Sequence, residues 1–245
     1  MSETQWRTHR LELADQALRD WDAAVLESGP DGIVLDASAF YPGGGGQPPD
    51  HGVLLWGGVQ TRIVGARKGD DLYLIPAEGD PLPPLGTAVR GAVEDARRTA
   101  LMRTHSALHV LGGVVFRDFG ALVTGGNMEA LTARMDFNLT EVPPGFRDTV
   151  ESACNAELSA DRRIDVRVLP RDEAFAIPDI IRTATNLVPP DVKDVRIIDI
   201  VGLDQQADGG THVASTRQVG GIQVVKIENK GKGFRRVRIQ VTDQP

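Results

Sequence analysis

Cysteine is almost absent from this 245-residue chain, which contains only Cys154. A single cysteine cannot form an intrachain disulfide, so the fold must be stable without such a cross-link. No stretch of the sequence approaches the roughly 18 consecutive apolar residues that a membrane-spanning helix needs. The amino-terminal residues are polar and of mixed charge, unlike a signal or transit peptide. These absences predict a cytoplasmic protein without membrane contact.

Positive charge is also in short supply, because 27 lysines and arginines face 34 aspartates and glutamates, a net charge of -7. This excess of acid argues mildly against a nucleic-acid partner, since phosphates bind lysine and arginine. A local basic patch can nevertheless lie on an acidic protein. The length suffices for one large or two modest domains, each with its own core.

Short apolar runs separated by glycine and aspartate turns occupy the amino-terminal part of the chain and are typical of a small β-barrel or sandwich. The runs lie at residues 33–35, 53–55, 61–64, 72–75 and 89–93. Residues 1–30 are amphipathic and fit either a helix or a strand. Prolines at 81, 83 and 84 and a glycine at 86 give the best boundary signal. We therefore predict a β-barrel domain over residues 1–92.

From residue 94 the pattern changes to one of long helices and alternating strands. It predicts helices at 94–115 and 146–160, a helical turn at 171–176, strands at 130–137, 164–169 and 195–201, and a closing hairpin of 220–227 with 234–241. Gly112 and Gly113 should weaken the end of the first helix. The fold class is therefore α+β, with the barrel followed by an α+β domain over residues 93–245.

Two histidines, His105 and His109, lie four residues apart on the first predicted helix. Four residues is just over one helical turn, so both imidazoles project from the same face. That spacing suits two ligands of one zinc ion. Taken alone, such a pair more often consists of buried histidines that form hydrogen bonds with the backbone.

A second motif strengthens the metal interpretation. Asp208 and His212 are also four residues apart, and the glycines between them favour a tight turn on which both side chains converge. With His105 and His109 they supply three imidazoles and one carboxylate. Such a set is sufficient for tetrahedral zinc, or for three protein ligands and a water. We therefore predict one metal site per chain.

A glycine-rich segment, residues 43–46, precedes Gln47 and exposes backbone N–H groups that can face a ligand. Gln47 is a candidate for orienting a water or a substrate carbonyl, and a tight turn between strands is the alternative. The segment lacks the Gly-Lys-Ser or Gly-Lys-Thr ending of a phosphate-binding loop, and no helix begins after it. We therefore do not expect ATP as a ligand.

Basic residues cluster near the first histidine and at the carboxyl terminus. The default interpretation is a solvated face, and a surface that follows an RNA backbone is the sharper one. Arg236 and Arg238 would share one face of a strand, opposite Arg235. The predicted contacts with RNA are Arg97, Arg98, Lys230, Lys232, Arg235 and Arg236.

In this order, the motifs resemble the editing region of alanyl-tRNA synthetase. The matching positions are Phe40 to Pro42 with the glycine run, Gln47, Pro48, Asp50 and Gly52; Thr104, His105 and His109; Ala133 to Phe137; Glu151, Asn155 and Val166; Asp204, Gln206, Gly209 to Val213, Thr216 and Gly220; and Gly231 to Arg236. The resemblance extends from Ile33 to Val241. No aminoacylation or anticodon module accompanies it, so we expect a relative of the free-standing AlaX-type editing proteins.

The resemblance implies that the protein removes serine, and also glycine, wrongly esterified to alanine tRNA, since binding alone discriminates poorly among small amino acids. It implies one zinc ion held by His105, His109, Asp208 and His212. The residues expected to act on the ester are Gln47, Thr104 and Thr211, and those expected to bind substrate are Gly44, Gly45, Gly46 and Asp50. The family usually has cysteine where this chain has Asp208, so another divalent ion is an alternative, because carboxylate is a harder ligand than thiolate.

Three other functions fit parts of this pattern. An RNA-binding module with a structural metal needs the histidines but no turnover. A metal-dependent hydrolase of another substrate would not need the basic residues, although no His-Glu-x-x-His motif of a zinc peptidase is present. A deacylase for a different tRNA would share the whole arrangement. The sequence leaves the oligomeric state open.

Overall fold

The computed structural model describes residues 6–186 and 188–244, and these form two compact units. The first unit comprises the described residues of Met1–Gly44 together with Pro48–Thr99. The second comprises Gly45–Gln47 and the described residues of Ala100–Pro245. The three-residue segment that contains Gln47 therefore packs with a part of the chain far away in sequence. This division reflects spatial packing, and the domain boundary after residue 92 stays a prediction.

The first unit is built almost entirely from strands. Its elements are β1 (His9–Arg10), α1 (Leu11–Ala14), β2 (Asp20–Gly29), β3 (Gly32–Leu35), β4 (Ala37–Ser38), β5 (Gly52–Trp56), β6 (Val59–Lys68), β7 (Leu72–Pro76) and β8 (Ala88–Val93). Six of them close a barrel in the order β2-β3-β7-β6-β5-β8, and β1 pairs with β4 in parallel. The predicted β-barrel is confirmed.

The barrel core follows from the two-residue period of its strands, which turns alternate side chains inward. Along β6, Thr61 and Ile63 are buried while Arg62 and Val64 are exposed. The Trp21 ring meets Phe40 edge to face, with 5.1 Å between ring centroids. This barrel core is formed by side chains from all six barrel strands.

A buried ion pair joins Arg98 to Asp50, and both side chains are 0% exposed. Nε of Arg98 lies 3.0 Å from each carboxylate oxygen, and Nη2 donates to the Ala39 carbonyl at 2.6 Å. The same carboxylate accepts the backbone N–H of Tyr41 at 2.6 Å. Each charge is thus neutralised inside the first unit. This corrects two expectations, because Arg98 is not open to RNA and Asp50 is not open to a substrate.

Breaking this pair should cost much more stability than breaking an exposed one. Arg98→Met leaves the Asp50 carboxylate buried without its partner, and we expect the free energy of unfolding to fall by about 3–5 kcal/mol. The control is Arg62→Met, which breaks the solvent-exposed pair with Asp80 and should change stability little. Urea unfolding of both variants measures the difference. Equal midpoints would contradict the structural role of the buried pair.

The second unit mixes helices with two antiparallel sheets. Its elements are α2 (Asp95–Phe119, which begins in the first unit), β9 (Val123–Glu129), β10 (Thr132–Phe137), α3 (Phe146–Ser159), β11 (Ile164–Pro170), α4 (Arg171–Phe175), β12 (Asp194–Ile200), β13 (Asp204–Ala207), a 3-10 helix (Thr216–Val219), β14 (Gly221–Asn229) and β15 (Arg235–Thr242). One sheet has the order β14-β15-β10-β9 and the other β11-β12-β13. The predicted α+β class is confirmed.

Helix α2 differs from its prediction because it runs through both glycines and ends only at Phe119. Gly113 has a packing reason, since a Cβ atom there would lie 3.0 Å from Cβ of Asp204 on β13. The glycine therefore permits a close approach of helix and strand rather than weakening the helix end. The sequence analysis also assigned no strand to β9, which contains Gly125 and Gly126, or to β13, which is only four residues long.

The core of the second unit lies around α2 and α3. Helix α3 buries Val150, Cys154 and Leu158, which recur every four residues on one face, as predicted. Burial raises the pKa of the Cys154 thiol far above its usual range. Among the described residues, no helix combines the length and apolar character needed to cross a membrane.

Candidate metal centre

Helix α2 supplies two of the four side chains that meet at the candidate site. His105 and His109 are separated by one helical turn, and their ring centroids lie 5.0 Å apart. Both side chains are buried. The predicted placement of both imidazoles on one helix face is confirmed.

The turn that follows β13 supplies the other two. The backbone N–H of Gly210 donates to Oδ2 of Asp208 at 2.6 Å, which folds the chain back on itself. Nη1 of Arg196 donates to the carbonyls of Asp208 and Gly210 at 3.0 and 2.9 Å, so the turn is held from the neighbouring strand. His212 is thereby brought to 3.1 Å, measured from Nε2 to Oδ2 of Asp208.

These two pairs converge on one point. One ligand atom from each of His105, His109, Asp208 and His212 can be chosen so that all lie within 4.8 Å of one another. Nε2 of His105 is 3.6 Å from Oδ1 of Asp208, and the rings of His105 and His212 stack with centroids 4.3 Å apart. The structure therefore assembles the predicted tetrad into a group that could hold a metal ion.

The electrostatics of the group suit a cation. Burial lowers the pKa of His105 and His212 below their usual value and that of His109 to about 4, which keeps the imidazoles neutral. Burial alone would raise the pKa of Asp208, but the neighbouring His105 and the hydrogen bond with His212 hold it well below its usual range. Neutral imidazoles and an ionised carboxylate are the protonation states that ligands of a divalent ion require.

An unpaired buried atom in the cluster also fits a metal. Nδ1 of His109 is buried and has no hydrogen-bond partner among the described residues. A buried polar atom without a partner is costly in a stable fold. A cation held by this cluster would offset that cost, because it attracts the lone pairs of the imidazole nitrogens and the charge of the carboxylate. Three imidazoles and a carboxylate are a common ligand set for zinc and for neighbouring divalent metals.

Gln47 lies beside the cluster and fixes the orientation of His105. Its Oε1 is 2.9 Å from Nδ1 of His105 and also accepts the N–H of Thr211 at 3.1 Å. An amide oxygen only accepts, so Nδ1 must carry the proton and Nε2, which faces Asp208, keeps its lone pair. The structure places Gln47 at the site, with its oxygen directed at a histidine.

Ser106 contacts Nδ1 of His212, and the sequence analysis did not identify it. Its hydroxyl lies 3.2 Å from Nδ1 of His212 and accepts the N–H of Val213 at 3.2 Å. A contact at Nδ1 leaves Nε2 as the nitrogen that faces Asp208. In the sequence, Ser106 is an ordinary residue of the predicted helix. Its position between His105 and His109 is the one signal that could have suggested a role in positioning a ligand.

Removing the Ser106 hydroxyl should weaken the metal site without unfolding the protein. For Ser106→Ala we expect roughly 10–100-fold weaker metal binding, because His212 loses the group that orients it. Ser106→Thr keeps the hydroxyl and should restore most of the affinity. Competition with a chromogenic chelator measures both variants. Identical affinities for the alanine and threonine variants would show that the hydroxyl has no positioning role.

The glycine-rich segment is divided between the two units. Gly44 belongs to the first unit, where its carbonyl accepts the Tyr41 hydroxyl at 3.0 Å. Gly45 belongs to the second unit and has φ +58°, and a Cβ atom there would lie 3.8 Å from Oδ1 of Asp208. Gly46 packs against β9, where its carbonyl accepts the N–H of Met128 at 3.1 Å. Of the three, Gly45 is the one whose Cβ position lies within 4 Å of a candidate ligand atom.

The two predicted catalytic threonines have different surroundings. Thr211 accepts from Nε2 of Gln47 at 2.8 Å and is part of the site. The Thr104 hydroxyl donates to the Ala100 carbonyl at 2.8 Å and accepts the N–H of Leu131 at 2.9 Å. Thr104 is therefore engaged in joining α2 to the turn before β10. This corrects the expectation that it acts on a substrate.

The basic residues are also unequal. Lys230 and Lys232 are exposed at the hairpin between β14 and β15. The Arg235 guanidinium donates to the carbonyl of Phe234 in that hairpin at 2.9 Å and to that of Thr140, after β10, at 3.1 Å. Two further arginines have partners of their own. Arg97 donates to the Pro49 carbonyl in the first unit, and Arg236 forms two 2.7 Å bonds with Asp136 in the second.

Comparisons with known proteins agree with this geometry. Residues 195–238, which contain Asp208 and His212, match the family described as the threonyl and alanyl tRNA synthetase second additional domain. The chain is 35% identical to alanyl-tRNA editing protein AlaX-M of Saccharolobus solfataricus over 94% of its own length and 97% of that protein. The AlaX-M protein of Methanosarcina mazei is 32% identical, over 97% and 98% of the two chains.

A longer relative shows similarity only in part. The alanine–tRNA ligase of Pyrobaculum neutrophilum is 33% identical over 93% of this chain, which corresponds to 26% of the ligase. Nearly the whole of this chain is therefore similar both to the AlaX-M proteins and to the ligase. In the ligase it is confined to one segment.

Proposed function

Because the chain belongs to the family of AlaX-M alanyl-tRNA editing proteins, we propose that it is a deacylase that hydrolyses wrongly attached amino acids from alanine tRNA, with serine as the main target and glycine as a second. The observation that carries the proposal is the convergence of His105, His109, Asp208 and His212 within 4.8 Å, with Gln47 bonded to one of them. Charged tRNA is used where translation takes place, so the proposal includes a cytoplasmic location.

We propose zinc as the metal that these four side chains hold. A zinc ion bound there would polarise the ester carbonyl or lower the pKa of a water. The role of the chain is to keep three imidazoles neutral and correctly oriented. Gln47 does this for His105 through Nδ1, so we assign it a positioning role rather than direct contact with the ester.

We propose that the substrate ester lies beside Asp208, where Gly45 has no side chain. A Cβ atom at this position would point toward Oδ1 of Asp208, and the positive φ of the residue also favours glycine. We propose that the aminoacyl group lies against Gly45. The hydroxyl of Thr211, bonded to Gln47 at 2.8 Å, is the candidate for recognising a serine side chain.

One observation favours a second candidate, in which the metal is structural and the protein binds tRNA without turnover. The cluster offers four ligands, and four protein ligands complete the tetrahedral shell of a structural zinc site. Catalytic zinc sites usually have three protein ligands and an open position. The half-buried Asp208 is the ligand that would have to yield its place to substrate.

The test uses the purified metal-loaded protein with serine-charged and alanine-charged alanine tRNA, followed by the loss of ester. We expect fast loss of the serine ester, sparing of the alanine ester, and loss of activity after chelation that returns when zinc is added. Binding of tRNA without any ester loss would reject the deacylase and support the structural metal. Activity that survives verified metal removal would reject the metal's part in hydrolysis.

A further inference from the structure

The sheet β14-β15-β10-β9 has one face on the protein core and one polar face. On β10, Met135 and Phe137 are buried, whereas Arg134 and Asp136 lie on the opposite face. The same alternation turns Arg236 and Arg238 outward on β15. We call this surface the basic sheet face; its charged side chains are Glu129, Arg134, Asp136, Lys226, Glu228, Arg236 and Arg238.

Two of the carboxylates of the basic sheet face, Asp136 and Glu228, are each shared between two cations. Asp136 accepts from Arg236 at 2.7 Å and from Arg134 at 3.3 Å. In the second triad, Glu228 accepts from the guanidinium of Arg238 at 2.6 Å and lies 3.0 Å from the ammonium of Lys226. Each triad therefore carries one net positive charge. The exposed Lys230 and Lys232 add to it, and Glu129 is the one opposing carboxylate among the residues that line the groove between β9 and β15.

Arg134 and Arg238 of this face have N–H groups that their carboxylate partners do not use. Arg238 uses only Nε, and Arg134 only Nη1, in the bonds with their carboxylates. Within the described part of the chain, their other N–H groups have no partner. Both guanidinium groups line an open groove of about 250 Å³, together with Asn127 and Gln240. A planar fork with free donors matches the oxygens of a phosphate.

The edge of β9 links this sheet to the segment beside the metal-ligand group. Gly46 packs closely against β9: a Cβ atom on this residue would lie 3.2 Å from the carbonyl oxygen of Gly126. Its own carbonyl accepts the N–H of Met128. The next residue, Gln47, contacts His105 of the metal centre. The strand that borders the groove thus also supports the segment that borders the site.

We propose that the basic sheet face binds the phosphate backbone of the tRNA strand that leads to the 3′-terminal adenosine, with Arg134 and Arg238 contacting phosphates. The inference rests on the proposed function, because an ester held at the metal centre requires its RNA chain to leave along an adjoining surface. Charge complementarity selects an anionic polymer as the occupant, and free guanidinium donors select phosphate within it.

The test is the double variant Arg134→Gln/Arg238→Gln, with Arg167→Gln as the matched control. Arg167 lies on the other sheet, is 43% exposed against 42% for Arg238, and is likewise paired with a carboxylate, Asp199. For each protein, kcat/KM on serine-charged tRNA is divided by that on seryl-adenosine, which has no phosphate backbone. We expect this ratio to fall about tenfold or more in the double variant and to stay within about twofold in the control.

The salt dependence provides an independent measure. Affinity for uncharged alanine tRNA, plotted against salt on logarithmic axes, should have a slope shallower by roughly one for each lost phosphate contact. An unchanged ratio and an unchanged slope in the double variant would overturn the proposal. If the native protein hydrolyses neither ester, the proposed function fails, and the salt slope still decides whether this face binds RNA.

Discussion

Replacing His212 with alanine is expected to abolish editing, with kcat/KM for the serine ester falling about 1,000-fold or more. The reason is that the variant removes one of four converging ligands and the stacking partner of His105. Metal content should fall with activity when measured by mass spectrometry on the same sample. Ester hydrolysis under single-turnover conditions gives the rate.

His9 provides the control for this experiment, since it is exposed and belongs to the first unit. His9→Ala should retain both metal and activity. If His212→Ala retains a full complement of metal and hydrolyses the ester at the native rate, the tetrad is not the functional centre. Metal retained with activity lost would place His212 in the reaction but not among the required ligands.

The second large effect is expected from adding a single methyl group. In Gly210→Ala the new Cβ would lie 2.2 Å from Cε1 of His105, 2.4 Å from its Nδ1 and 2.8 Å from Oε1 of Gln47. Non-bonded heavy atoms do not approach this closely, so His105 must move and lose its hydrogen bond with Gln47. We expect metal affinity and kcat/KM each to fall about 100-fold or more, because ligand geometry tolerates little displacement.

Gly209 is a close control, since it is the neighbouring residue on the same turn and a Cβ atom there would meet nothing within 4 Å. Gly209→Ala should behave nearly as the native protein does in the same two measurements. Equal losses in both alanine variants would mean that the turn needs backbone freedom at both positions. Equal retention would mean that the space beside His105 is not required.

The sequence predicted the metal tetrad because its information is local. Two pairs spaced by four residues, one on a helix and one on a glycine turn, can each be recognised without knowing the fold. Their convergence could only be suspected from chemical sufficiency. The barrel was predictable for the same reason, since its short apolar runs and the glycine and aspartate turns between them are local signals. Which side chains of β6 face inward was not, because Thr61 is buried and Val64 is exposed.

The support of the tetrad was not predictable in this way. Gln47 and Thr211 are bonded although they are 164 positions apart, and nothing in either segment announces the other. Charge led to a wrong prediction at Arg98. Arg98 was expected to contact RNA because a sequence shows the charge of a residue and not its burial, and Asp50, which neutralises it, lies 48 positions earlier.

The presence of a carboxylate, Asp208, as the fourth side chain of the tetrad has a consequence for its chemical durability. Thiolate ligands of metal sites are converted by peroxide to sulfenic and sulfinic acids, and the metal is released. None of the four side chains of this tetrad contains sulfur. The one thiol in the chain, Cys154, is buried in α3, and its raised pKa keeps it in the unreactive protonated form. An oxidant therefore meets no thiolate among the four candidate ligands.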